Sequence, residues 1–133
     1  VADFAIEYVL PRLVGFERAF ELLVRAPRLS GQEASAWGLA GRCVPAAEVL
    51  ATALEIARDI STHCAPLPVG LHKHLLWRGL SMSLGELADA ESRALNHTMS
   101  TPDAVEGGTA YMERRTPQWS ASINNDWPDW LKD

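Results

Sequence analysis

Apolar positions along this chain recur at helical spacing in one segment after another. Ala5 to Leu10 is a short apolar run, and Pro11 is expected to stop it, because the residue before a proline avoids helical dihedrals. Phe16, Ala19, Phe20 and Leu23 fall at i, i+3, i+4 and i+7, which predicts a helix over Phe16 to Arg25, with Pro27 ending it. Ser30-Gly-Gln-Glu33 has the form of a capping box. The serine hydroxyl satisfies one free backbone N–H and the glutamate reaches back to another. It predicts a short helix ending at Gly38. Leu39 to Val44 is compatible with a short strand. Ala46 to Ile60 then carries the clearest apolar stripe, Val49, Leu50, Ala53, Leu54, Ala57 and Ile60, with Glu48, Glu55 and Asp59 off it.

Past Pro66 and Pro68, Val69 to Leu80 reads as a basic helix with Lys73 and Arg78. Ser83-Leu-Gly-Glu86 is a second capping box, opening a helix to about His97. Thr101-Pro102 reads as an N-cap followed by proline at the first helical position, starting a helix over Pro102 to Arg115. The tail from Thr116 to Asp133, with prolines and three tryptophans, is expected to be extended or irregular. Trp119, Trp127 and Trp130 could anchor it on another subunit, or it could be loose. The fold class is therefore mainly α. The helices each present an apolar face that needs a partner, and the partner expected for the first ones is a sheet that this stretch does not supply.

Composition narrows the function classes. The chain has 133 residues, about one domain, and is 47% hydrophobic, enough for a core. A net charge of −5 argues against bulk nucleic-acid binding. No apolar run reaches the roughly 20 residues that span a bilayer, so no membrane role is expected. Cys43 and Cys64 form no CxxC and read as reduced thiols of a cytoplasmic protein. No metal site is expected: His72 and His74 would lie on nearly opposite sides of a helix, and no HExxH stands in the chain. Ser30 and Ser83 are accounted for by capping, His63 and Cys64 show no activating partner, and the Asn96-His-Thr98 sequon needs a secretory context to matter.

One set of segments in order goes further. Leu10-Pro-Arg-Leu-Val-Gly15 is followed by Arg18-Ala19, Glu21-Leu22, Leu29-Ser-Gly-Gln-Glu-Ala34, Gly38-Leu39 and Val44-Pro45. Lys73 lies in the next helix, and Asp103-Ala-Val-Glu-Gly107, Ala110-Tyr-Met-Glu-Arg-Arg115 and Pro117 close the series. Each piece is weak alone, but their order and spacing resemble the C-terminal half of the enoyl-CoA hydratase/isomerase (crotonase) family. That resemblance implies the C-terminal helical part of a crotonase-like α/β spiral fold, with the ββα core absent from this stretch. It implies residues 1–45 as the end of the core with its first helices, 46–115 as a helical trimerisation region, and 116–133 as a Trp/Pro-rich tail.

The resemblance also implies chemistry. Family members run proton transfers at C2–C3 of an enoyl-CoA, hydration or double-bond isomerisation, through an enolate held by two backbone N–H groups. Both donors come from the family's first half, the second of them from a Gly-Gly segment at a helix start, with one acid/base glutamate just after it. The one Gly-Gly pair here, Gly107-Gly108, falls in a predicted helix near the other end. The family's second acid/base group matches Asp3, eight residues before Pro11. Aspartate there, one methylene shorter than the more frequent glutamate, leans towards isomerisation. The larger side chains of Phe4-Ala-Ile-Glu-Tyr8, where the family often has small residues, would narrow the acyl pocket, and Glu7 is expected on an exposed face. Tyr111 and Arg114 match an aromatic and a basic residue that contact coenzyme A, the guanidinium suiting its 3′-phosphate. With i, i+3 spacing they are expected on one helical face. No separate cofactor is implied, since the CoA thioester is the substrate. The partners implied are acyl-CoA and copies in a homotrimer or hexamer, or an N-terminal-half partner chain. The alternative is a non-catalytic oligomerisation or partner-binding module, whose apolar faces would make it associate.

Overall fold

The computed structural model describes residues 5–132, and all structural statements concern these. They form eight helices and two short 3-10 turns, with no strand among the described residues. The helices are α1 (Ile6–Val14), α2 (Phe16–Arg25), α3 (Gly31–Ala36), α4 (Val49–His63), α5 (Pro66–Gly79), α6 (Leu84–Met99), α7 (Asp103–Glu113) and the single turn α8 (Ile123–Asp126). The 3-10 turns cover Ala46–Glu48 and Asp129–Leu131. The chain divides into two compact units, Val1–Thr52 and Ala53–Asp133. That division falls inside α4, a few residues past Pro45.

In the first unit α1 and α2 pack on each other. Their core is Leu10, Val14 and Ala19, with Ile6, Leu22, Trp37 and Leu39 against it. This corrects the reading of Pro11 as a stop. Pro11 sits within α1, removing one helical N–H. Burial of Leu10 and Val14, one turn apart, carries the helix across it. Gly15 ends it instead, at φ +83°, and the same residue precedes the first turn of α2. The Ser30 capping box is present as expected. Ser30 Oγ accepts from the Glu33 amide at 3.2 Å, and Ser30 N donates to Glu33 Oε2 at 2.8 Å. At the other end of α3, Gly38 adopts φ +83°, with Gly38 N donating to Ser35 O and Leu39 N to Ala34 O. Residues 39–44 are irregular, not a strand. A strand needs a neighbour to share its ladder, and none is present among the described residues.

In the second unit, α5 packs on α6 and on α8, and α6 packs on α7. Leu67, Leu71 and Leu75 recur every four residues along α5 and supply most of the bulk of the core. Facing them are Ala90 and Ala94 of α6 and Ala121 and Leu131 of the tail. The start of α5 lies three residues earlier than periodicity suggests, because Pro66 at the first helical position fits the fixed φ of proline. The Ser83 capping box is also present, with Glu86 N to Ser83 Oγ at 3.3 Å and Ser83 N to Glu86 Oε2 at 2.8 Å.

The tail is not loose. Asp103 is buried at the start of α7 and accepts from Ser120 N (2.8 Å), Ser120 Oγ (2.9 Å) and Ala121 N (3.1 Å). Trp119 Nε1 donates to the Thr62 carbonyl at 3.1 Å. His97 Nε2 meets the Asp126 carbonyl at 2.7 Å, and the Arg93 guanidinium lies 4.1 Å from the centre of the Trp130 ring. Ile123 and Trp127 close on Gly70 of α5. A Cβ built on Gly70 would stand 2.9 Å from Ile123 Cδ1 and 3.1 Å from Trp127 Cζ3.

Candidate functional site

Three residues were singled out by the sequence: Asp3, Tyr111 and Arg114. Asp3 lies outside the described residues. Glu7 is exposed in the first turn of α1, as expected. Gly107 and Gly108 lie inside α7, so this pair is helical backbone and offers no free donors.

Tyr111 and Arg114 lie at the C-terminal end of α7. Tyr111 is 83% exposed, and so stands out from the surface and not in the core. Met112 beside it is 79% exposed, and Val105, two turns before Met112 and on the face of Met112, is 71% exposed. An aromatic ring with apolar neighbours in solvent is a surface suited to a flat, partly apolar ligand.

Arg114 departs from the expected geometry. Helix α7 ends at Glu113, and Arg114 is its C-cap in the left-handed region, at φ 56° and ψ 41°. Arg114 N donates to Tyr111 O at 3.2 Å and Arg115 N to Ala110 O at 3.0 Å, the paired bonds of a Schellman turn. The turn is usually made by glycine, because a Cβ there crowds the carbonyl that follows. Tyr111 and Arg114 therefore do not sit on one continuous helical face. The tyrosine lies in the last turn and the arginine on the exit turn. Arg114 is exposed, and among the described residues no carboxylate forms an ion pair with it.

The adjacent arginine has the opposite fate. Arg115 folds back on α7, with Nη1 2.6 Å from Glu106 Oε1, Nη2 2.9 Å from Glu106 Oε2 and Nε 2.6 Å from Glu113 Oε2. Glu106 Oε1 also accepts from Gln118 N at 2.6 Å. The side-chain bond from Arg115, then the Gln118 amide, hold the Glu106 carboxyl down at about 2. The contribution of this carboxylate to stability is full above the ordinary glutamate range and is lost as pH falls from there through about 2. Sequence reasoning did not find this cluster. The Glu106-to-Arg115 pair spans nine residues, more than two turns, and becomes a contact only because the chain reverses at Arg114.

Among the described residues no group of three His, Cys, Asp or Glu side chains could hold a metal ion. No helix among them is long and apolar enough to cross a membrane. Cys43 and Cys64 are both free and exposed.

Residues 1–122 match the enoyl-CoA hydratase/isomerase family. A probable enoyl-CoA hydratase/isomerase from Mycobacterium abscessus superposes with a TM-score of 0.88 at 41% identity, over 90% of this chain and 47% of that one. A probable mitochondrial enoyl-CoA hydratase of Dictyostelium discoideum is 33% identical over 110 residues, 83% of this chain and 39% of its own. The short-chain-enoyl-CoA hydratase of Clostridium acetobutylicum is 35% identical over 106 residues, 80% of this chain and 40% of its own. The chain thus spans about two fifths of the length of these curated relatives. Its helices have the arrangement found in a crotonase-fold enzyme, and by its match over residues 1–122 the chain belongs to the enoyl-CoA hydratase/isomerase family.

Proposed function

We propose that these residues form the C-terminal part of a subunit that hydrates enoyl-CoA thioesters or shifts their double bond. The observation that carries this reading is the match to the family over residues 1–122. The oxyanion hole would come from a segment outside these residues, since the Gly-Gly pair present is locked in α7. Asp3 would move the proton next to the thioester, and its short side chain favours isomerisation over hydration. The exposed end of α7 would hold the nucleotide end of coenzyme A, Tyr111 against the adenine and Arg114 on the 3′-phosphate. The CoA thioester is substrate, and the reaction as read needs no further cofactor.

Assembly into a homotrimer or hexamer belongs to the same reading. It is supported by the apolar side chains left in solvent on α2, where Phe16 and Phe20 stack at 6.4 Å and Phe16 is 78% exposed. The same face favours the second reading, a non-catalytic module that associates with a partner chain. The two free, exposed thiols suit a reducing compartment such as the cytoplasm, while the Dictyostelium discoideum relative is by name mitochondrial.

The test is titration of coenzyme A into the purified natural gene product, with crotonyl-CoA turnover measured alongside. Arg114→Ala should weaken CoA binding about tenfold, the loss of one charge-assisted phosphate contact. Unchanged affinity would remove Arg114 from the site. The 133-residue chain by itself should not turn over crotonyl-CoA, and measurable turnover would show that the oxyanion hole lies within it.

A further inference from the structure

Two adjacent arginines, Arg114 and Arg115, leave α7 in opposite roles, and Glu106 separates them. It binds the Arg115 guanidinium through both carboxylate oxygens and the Gln118 amide through one. These contacts fasten the chain just after the left-handed residue and again three residues later. They have two effects on Arg114. First, Arg115 N caps Ala110 O and its side chain is anchored, so the exit turn is pinned beside a residue whose Cβ disfavours it. Second, Glu106 and Glu113 are both occupied by Arg115 and are not available to neutralise Arg114.

We propose that Glu106 is a positioning residue for phosphate binding by Arg114: its clamp on Arg115 and Gln118 fixes the left-handed turn and keeps the Arg114 guanidinium unpaired for an incoming phosphate. This rests on the reading that coenzyme A binds at the end of α7. A strained conformation held by its surroundings is a way of preorganising a contact, so that little ordering remains to be done when the ligand arrives.

The experiment is a double-mutant cycle on the natural gene product, read as the affinity for coenzyme A and for dephospho-coenzyme A, which lacks the 3′-phosphate. Glu106→Gln keeps the shape and the acceptor for Gln118 N but removes the charge. It should weaken CoA binding several-fold, roughly three to ten. The loss should disappear in the Arg114→Ala background and for dephospho-coenzyme A, since there is then no phosphate contact to position. Arg115→Gln cuts the clamp from its other side and should behave alike, which keeps the test open if one variant folds poorly. Glu106→Gln with wild-type affinity would overturn the proposal. So would an equal loss with and without Arg114, which marks a purely structural role. If Arg114→Ala itself binds coenzyme A normally, the site reading fails and this proposal fails with it. If Arg114→Ala is weak while Glu106→Gln is not, only the positioning role is lost.

Discussion

At the scale of single residues, the left-handed turn at Arg114 and the proposed hold of its guanidinium on coenzyme A make opposite demands on one position. A side chain with a Cβ held at φ 56° costs about 1 kcal/mol relative to glycine, part of which returns because glycine gains freedom in the unfolded chain. Arg114→Gly should therefore raise the unfolding free energy by roughly 0.5–1 kcal/mol in urea denaturation. The same variant should bind coenzyme A no better than Arg114→Ala. A substitution that stabilises the fold and weakens the ligand would show that arginine stands there for its charge and not for the turn. Loss of stability on Arg114→Gly would mean that the guanidinium makes contacts that the folded chain needs. The family resemblance singles out Arg114 in the sequence, but the turn it makes was not legible there. Left-handed C-caps are read from glycine or asparagine, and Arg114 breaks that rule.

Individual elements divide by whether their signal is local. Phe16–Arg25 and both capping boxes were legible because spacing and a serine–glutamate pair carry their own hydrogen bonds. The helix through Pro11, the state of residues 39–44 and the docking of the tail were not legible, because they depend on distant partners. These are the burial of Leu10 and Val14, the lack of a ladder neighbour, and the grip of Asp103 on Ser120 and Ala121. Thr101 is an instructive case. It has the look of an N-cap, yet its hydroxyl donates back to the Thr98 carbonyl at 2.7 Å and α7 begins without a side-chain cap. Removing Ser83 should cost more. Ser83→Ala deletes both the acceptor for Glu86 N and the partner that holds the Glu86 carboxylate, at about 1 kcal/mol. Thr101→Ala should show a smaller loss of helicity and stability by circular dichroism during thermal unfolding. Equal losses would contradict the different hydrogen-bond roles of the two residues.

At the scale of the molecule, each compact unit has its own buried cluster, and the second depends on one helix for its bulk. Leu67 is fully buried there. The buried residues that α6 and the start of the tail bring to its cluster are alanines, Ala90, Ala94 and Ala121, which cannot reach into a void, while Leu87, Trp127 and Trp130 are partly buried against the cluster. Truncating Leu67 should therefore leave most of the cavity open. The loss combines the transfer of the removed methyl groups with an unfilled cavity, about 2–5 kcal/mol. Leu76, on the same helix, is 74% exposed, and its truncation should change stability by less than about 0.5 kcal/mol. Native-state hydrogen exchange distinguishes the two. Leu67→Ala should speed exchange throughout α5, α6 and the residues 119–131 that pack on them, because all three line one cluster. Leu76→Ala should leave those amides as protected as before. If Leu67→Ala released only the tail and left α5 and α6 protected, the cluster would be two separate contacts, and the tail would be an appendage rather than a layer of the core.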